Sequence, residues 1–157
     1  HGTYSMYPKT GAKADDSRAD YYENILYENL KELTASCGDV LVCVENNGFK
    51  PIEIKALQRL IDENGRLFLT LDTAKLYKSS DHSILENDLA FFEKNRERIR
   101  EIHIHDKNDR FGSHQTVGDG YVDFELFRPF FNGDTYLNFE VRPIEAAKQS
   151  KDNLFKE

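Results

Sequence analysis

Four apolar runs in this sequence each finish near a side chain that can bind a metal or carry a proton. VLVCVE (40–45) ends on Glu45 and LFLTLD (67–72) on Asp72; IREIHIHD (99–106) carries His105 and YLNFEV (136–141) carries Glu140, each one residue before the end. These residues recur about thirty positions apart, the length of one strand–helix unit. Two glutamates, one aspartate and one histidine form an oxygen-rich donor set with a single imidazole. That set suits Mn²⁺, Mg²⁺, Co²⁺ or Zn²⁺ better than it suits a structural thiolate zinc site. A lone acid at a strand end ordinarily caps a helix or forms a turn. Four consecutive strands that all end this way point instead to one shared site. His103 and His105 stand two apart in one run and share a strand face, which puts His103 one layer below the ligand position.

Other residues carry less chemistry. His114, in SHQTVGDG, reads either as a further ligand or substrate contact or as a surface loop histidine. His82 reads as an ordinary helix-start residue. Gly118-Asp119-Gly120 resembles a phosphate-cradling loop only loosely and, without a strand before it, is better taken as turn geometry. Asp81-His82-Ser83 and the two cysteines, Cys37 and Cys43, form neither a nucleophile triad nor a redox pair.

The elements that must hold the four strand ends follow from the pattern of apolar residues. Residues 1–16 read as a loop. Ser17 then caps a helix with Tyr22, Ile25, Leu26, Leu30 and Leu33 on its stripe and Gly38 past its end. Pro51 opens a second helix carrying Leu57, Leu60 and Ile61, stopped by Asn64-Gly65. Asp81 or Ser83 caps a third with Ile84, Leu85, Leu89 and Phe92, ending in the charged run 93–98. A loop through Gly112, Gly118 and Gly120 leads to a short helix from Asp123 with Phe124, Leu126 and Phe127, and residues 144–156 form a closing helix. Continuous apolar strands suit a parallel sheet covered on both faces. Strand and helix alternate four times, so the expected class is α/β in a single domain, 1–157.

Composition narrows the partners. The chain has 157 residues and a formal charge of −7, and the acidic balance argues against a general nucleic-acid binder, which needs a basic footprint. A mean hydropathy of −0.67 and the lack of a long apolar run exclude a membrane-spanning helix. Two cysteines cannot build a disulfide framework, which points to a reducing, cytoplasmic setting.

The segments CVENNG, LTLDTAKLY, IREIHIHDKN, HQTVGDGYVDF and YLNFEVRP, in this order, resemble the xylose isomerase-like barrel superfamily. Sugar isomerases and epimerases, hydroxypyruvate isomerase, inosose dehydratase and the endonuclease IV type of abasic-site nuclease belong to it. The resemblance implies a (β/α)₈ TIM barrel of which this chain is the C-terminal portion, about four βα units. It also implies one divalent metal ion held by Glu45, Asp72, His105 and Glu140, with Glu45 and Glu140 as the catalytic acid/base pair. Proton removal next to a carbonyl through an enediolate requires a carboxylate on either side of the reacting carbon. The implied substrate contacts are His1, Lys75, His103, Arg110 and His114. His1 matches the end of the preceding strand, and Arg110 lies close to the place of a substrate-binding arginine in epimerases. Lys75 stands where the family usually has histidine, and Gly112-Ser113-His114 keeps only the histidine of the nuclease branch's Asp-x-His. Two lost ligands argue against a trinuclear zinc cluster.

The leading expectation is therefore a metal-dependent isomerase or epimerase acting on a small sugar or polyol-ketone. One alternative is an endonuclease IV-like phosphodiesterase using zinc, for which the basic residues near the site are only Lys9, Lys13, Lys107 and Arg110. Another is a non-catalytic binding module that keeps the fold. The chain opens at His1, and a barrel of this type typically needs about 250 residues. A half-barrel of four strands is expected to leave two sheet edges and an apolar inner face for a missing N-terminal segment or a second copy to cover.

Overall fold

The computed structural model describes residues 18–63 and 65–156. The expected loop at 1–16, the Ser17 cap, His1, Lys9, Lys13 and Asn64 lie outside them. Helix α1 (Ala19–Ser36) leads to strand β1 (Val42–Glu45), helix α2 (Pro51–Asp62), strand β2 (Leu67–Asp72), helix α3 (Glu86–Lys94) and strand β3 (Ile99–Ile104). Two short strands, β4 (Asp106–Asn108) and β5 (Gly112–Gln115), precede strand β6 (Tyr136–Phe139) and helix α4 (Ile144–Leu154). Strands β1, β2, β3 and β6 form a parallel sheet in that order, while β4 and β5 make a separate antiparallel hairpin.

The two faces of the parallel sheet differ in kind. Leu67, Leu69 and Leu71 of β2 and Ile99, Ile102 and Ile104 of β3 are buried in one core with Leu57 and Leu60 of α2 and Phe91 and Phe92 of α3. The register pairs Glu45 with Thr70, Thr70 with Glu101, Asp72 with His103 and His103 with Asn138, and paired residues of parallel strands point to one side. The opposite face is therefore polar. Cys43, Tyr136 and Asn138 on it are exposed, Tyr136 at 77%. The expected apolar inner face is corrected here: strand alternation sends the aliphatic residues to the helices and the titratable ones the other way.

Local differences from expectation have local causes. Helix α1 buries Tyr27 and Thr34, while Leu33 of the expected stripe is 47% exposed. The Arg59 guanidinium lies 3.6 Å above the Tyr27 ring, so α1 docks on α2 through this stack. Helix α3 begins at Glu86, because Asp81 spends its carboxylate on the Ser83 N–H (3.0 Å) and hydroxyl (2.6 Å) in a local turn. The run 99–106 splits at His105, since Asp106 starts the hairpin that replaces the expected loop. Asp123 caps a seven-residue 3₁₀ helix, Phe124–Phe130, by accepting the Glu125 N–H at 3.1 Å.

Candidate metal centre at the strand ends

The site is assembled by backbone pairing before any side chain meets another. Asn46, fully buried just past β1, continues the β1–β2 ladder with its amide: its Nδ2 donates to the Asp72 carbonyl (3.1 Å) and its Oδ1 accepts the Asp72 N–H (2.7 Å). Thr73 ties the other side, its N–H and its hydroxyl both donating to the His103 carbonyl at 3.1 Å. Asp72 is thus fixed between its neighbours, fully buried, at the point where β1, β2 and β3 end.

Around it the structure brings together Glu45, Asp72, Lys75, His103, His105, His114 and Glu140. Donor atoms of Glu45, Asp72 and His103 lie within 4.8 Å of one another, and so do those of His105, His114 and Glu140. The Lys75 ammonium bridges two carboxylates, 2.9 Å from Glu45 Oε2 and 3.1 Å from Asp72 Oδ2. Burial is the largest influence on Asp72 and raises its pKa, but the His105 hydrogen bond, the His105 and Lys75 charges and the Lys75 N–H outweigh it and leave the carboxyl below its ordinary value. For Lys75, burial lowers the pKa while Glu45 and Asp72 raise it, and the two carboxylates prevail.

The two histidines of β3 have different surroundings. His105 is fully buried, and its Nδ1 accepts the His114 N–H at 3.0 Å. A backbone N–H can only donate, so in the neutral ring the proton sits on Nε2, facing Asp72 Oδ1 at 3.2 Å and Oδ2 at 3.3 Å, while the Asp106 carbonyl 3.3 Å from Nδ1 is a partner for the charged ring. Burial acts most strongly on His105 and lowers its pKa, yet the Asp72 hydrogen bond and charge, the Asp106 carbonyl and Glu140 leave it raised. Both ring nitrogens of His105 are therefore occupied by protein. His103 is placed otherwise. Its Nδ1 lies 2.7 Å from Glu45 Oε1 and 3.3 Å from Glu140 Oε1, and it is buried without a hydrogen bond to either.

That orphaned nitrogen is the test of whether these residues fit a metal. Acceptor atoms this close are held together only by a shared proton or a shared cation. Ligand atoms each about 2.0–2.2 Å from one ion stand about 3 Å apart. Glu45 and Glu140 stand at about that spacing from His103 Nδ1, and Asp72 brings a donor atom within 4.8 Å of those of Glu45 and His103.

The remaining expected contacts divide. His114 lies beside the cluster in a left-handed conformation (φ 64°); its ring centroid is 4.3 Å from that of His105 and its Nδ1 donates to the Glu140 carbonyl at 2.9 Å. Arg110 sits in the β4–β5 turn, stacked on Phe111 at 4.7 Å, and among the described residues it makes no hydrogen bond or ion pair with the cluster. His82 is not a helix-start residue but pairs with Asp109 at 2.8 Å and stacks on Tyr121 at 3.8 Å.

Two structural residues escaped the sequence reading. One is Asn46. The other is Asp106, whose Oδ1 accepts the Lys107 and Val122 N–H groups (2.7 and 3.1 Å) and whose Oδ2 accepts those of Gly118 and Gly120 (2.9 and 2.8 Å). The Gly118–Gly120 turn thus cradles an anion belonging to the chain itself, and a Cβ at Gly120 would collide with Asp106 Oδ1 and the Lys107 carbonyl. A buried acid directly after His105 and a glycine pair downstream were the available signal.

A four-stranded parallel sheet whose carboxyl ends gather carboxylates and imidazoles is consistent with part of an α/β barrel, a fold whose sites lie at that end. The chain belongs to the xylose isomerase-like TIM barrel family, whose profile matches residues 5–156. It is 31% identical to an uncharacterized protein of Methanocaldococcus jannaschii over 62% of this chain and 34% of that one. It is 27% identical to a probable endonuclease 4 of Thermotoga petrophila over 68% of this chain and 43% of that protein. The chain thus spans less than half the length of either relative. No described helix is long and apolar enough to cross a membrane.

Proposed function

We propose that this chain carries most of the site of a divalent-metal-dependent sugar isomerase or epimerase, with Glu45, Asp72, His103 and Glu140 as ligands. The observation that supports this reading is the convergence of Glu45 and Glu140, from the two edge strands of the sheet, on the unsatisfied Nδ1 of His103. His105, with both nitrogens engaged, serves as the residue that orients Asp72 rather than as the imidazole ligand. The ion would supply Lewis-acid polarisation of a substrate carbonyl. Glu45 and Glu140 are then placed to remove and return a proton at the neighbouring carbon, and Lys75 offers an ammonium to a substrate oxygen beside Glu45. Equilibrium dialysis of the whole protein against Mn²⁺ or Co²⁺, followed by elemental analysis, is expected to give one ion per site. No retained ion would refute the proposal.

A second reading, a zinc-dependent phosphodiesterase acting at abasic sites, draws on the probable endonuclease 4 relative and on the grouping of His105, His114 and Glu140. The Lys75 bridge and the net charge of −7 weigh against it. Clean zinc-dependent incision of an abasic duplex would reverse the ranking.

A further inference from the structure

We infer that Glu101 is a positioning residue that holds the His103 ring with its Nδ1 toward the metal position. The inference rests on the ligand set proposed above and adds a residue to it. Glu101 lies two residues before His103 on β3, on the same face of the sheet and one step further from the strand ends. Its Oε1 stands 3.3 Å from His103 Nε2, the nitrogen opposite the one that faces Glu45 and Glu140. The same oxygen accepts a hydrogen bond from Asn138 Nδ2 at 3.2 Å, which holds the carboxylate in place from the neighbouring strand. Register makes this arrangement a property of the backbone, since His103 pairs directly with Asn138 and Glu101 with Tyr136.

An imidazole has one proton to place when neutral. With an ion at Nδ1, where Glu45 Oε1 and Glu140 Oε1 converge, the ring proton belongs on Nε2, and Glu101 is the carboxylate placed to accept it. Without Glu101 the ion-bound ring would lose the acceptor that fixes its orientation. The chain Asn138–Glu101–His103 therefore runs from the polar sheet face to the metal position and holds Nδ1 toward it.

The test has a spectroscopic arm and an affinity arm. In the Zn²⁺-loaded protein, long-range ¹H–¹⁵N correlation spectra should show a slowly exchanging His103 proton on Nε2, and Glu101→Ala should speed its exchange with water. Mn²⁺ affinity should fall about 10–100-fold in Glu101→Ala and recover substantially in Glu101→Gln, whose carbonyl can still accept from Nε2. Thermal melts of both variants report any folding defect separately. If the intact protein binds Mn²⁺ and Glu101→Ala binds it within threefold of the same affinity, the inference is wrong while the metal reading survives. If the intact protein binds no ion, the metal reading fails and the role of Glu101 fails with it.

Discussion

The two faces of the central strands, built from alternate residues of the same segments, obey different rules. On the helix side Leu67, Leu69, Leu71, Ile102 and Ile104 are completely buried against α2 and α3, and any side chain of similar size and polarity would satisfy that environment. On the other side Glu45, Asp72, Glu101 and His103 are held at fixed distances by ion pairs, and their geometry fits only a cation or a proton. One face supplies stability, and the other uses that stability to hold like-charged groups together. Substitutions on the two faces should therefore separate stability from chemistry.

The largest separation is expected for Glu140→Gln. Loss of one acid/base group should lower turnover of a suitable sugar about 10²–10⁴-fold with little change in melting temperature. Equal loss of stability and turnover would erase the distinction between the faces. Ile102→Ala is the mirror experiment: a fully buried side chain is truncated, and denaturant unfolding should show a loss of about 2–5 kcal/mol with the metal affinity of the folded protein nearly unchanged.

Asn46→Ala tests the seam between the faces. It leaves the buried Asp72 N–H without its partner, for a stability cost of about 1–3 kcal/mol, and it should weaken metal binding too because Asp72 loses its anchor. The smallest change is predicted for Lys75→Met. Removing an ammonium 2.9 Å from Glu45 and 3.1 Å from Asp72 should tighten Mn²⁺ binding roughly tenfold by titration calorimetry. Weaker binding would show that Lys75 organises the ligands instead of competing with the ion.

Much of this division was legible in the residues alone. Apolar runs spaced about one strand–helix unit apart, each finishing near Glu45, Asp72, His105 or Glu140, located both the sheet and the end of it at which these side chains gather. Parity placed His103 and His105 on one face, but it could not say which imidazole keeps a free nitrogen. That depends on the His114 N–H, delivered to His105 by a hairpin that the glycines of 112–120 disguised as a loop. Asn46 and Asp106 were equally hidden. Each spends its side chain on backbone groups distant in the chain, 26 residues away for Asn46 and up to 16 for Asp106, and only the glycine pair downstream of Asp106 hints at either. Nor does closeness to His105 in sequence reveal that Arg110 lies in the β4–β5 turn, stacked on Phe111.

The central claim is that Glu45, Asp72, His103 and Glu140 hold one divalent ion. Anomalous diffraction from crystals of the protein grown with Mn²⁺ tests it most directly. The account predicts a single strong anomalous peak about 2.0–2.3 Å from His103 Nδ1 and from oxygens of the three carboxylates. A site with no peak, or a peak bound to His105 and not to His103, would contradict it.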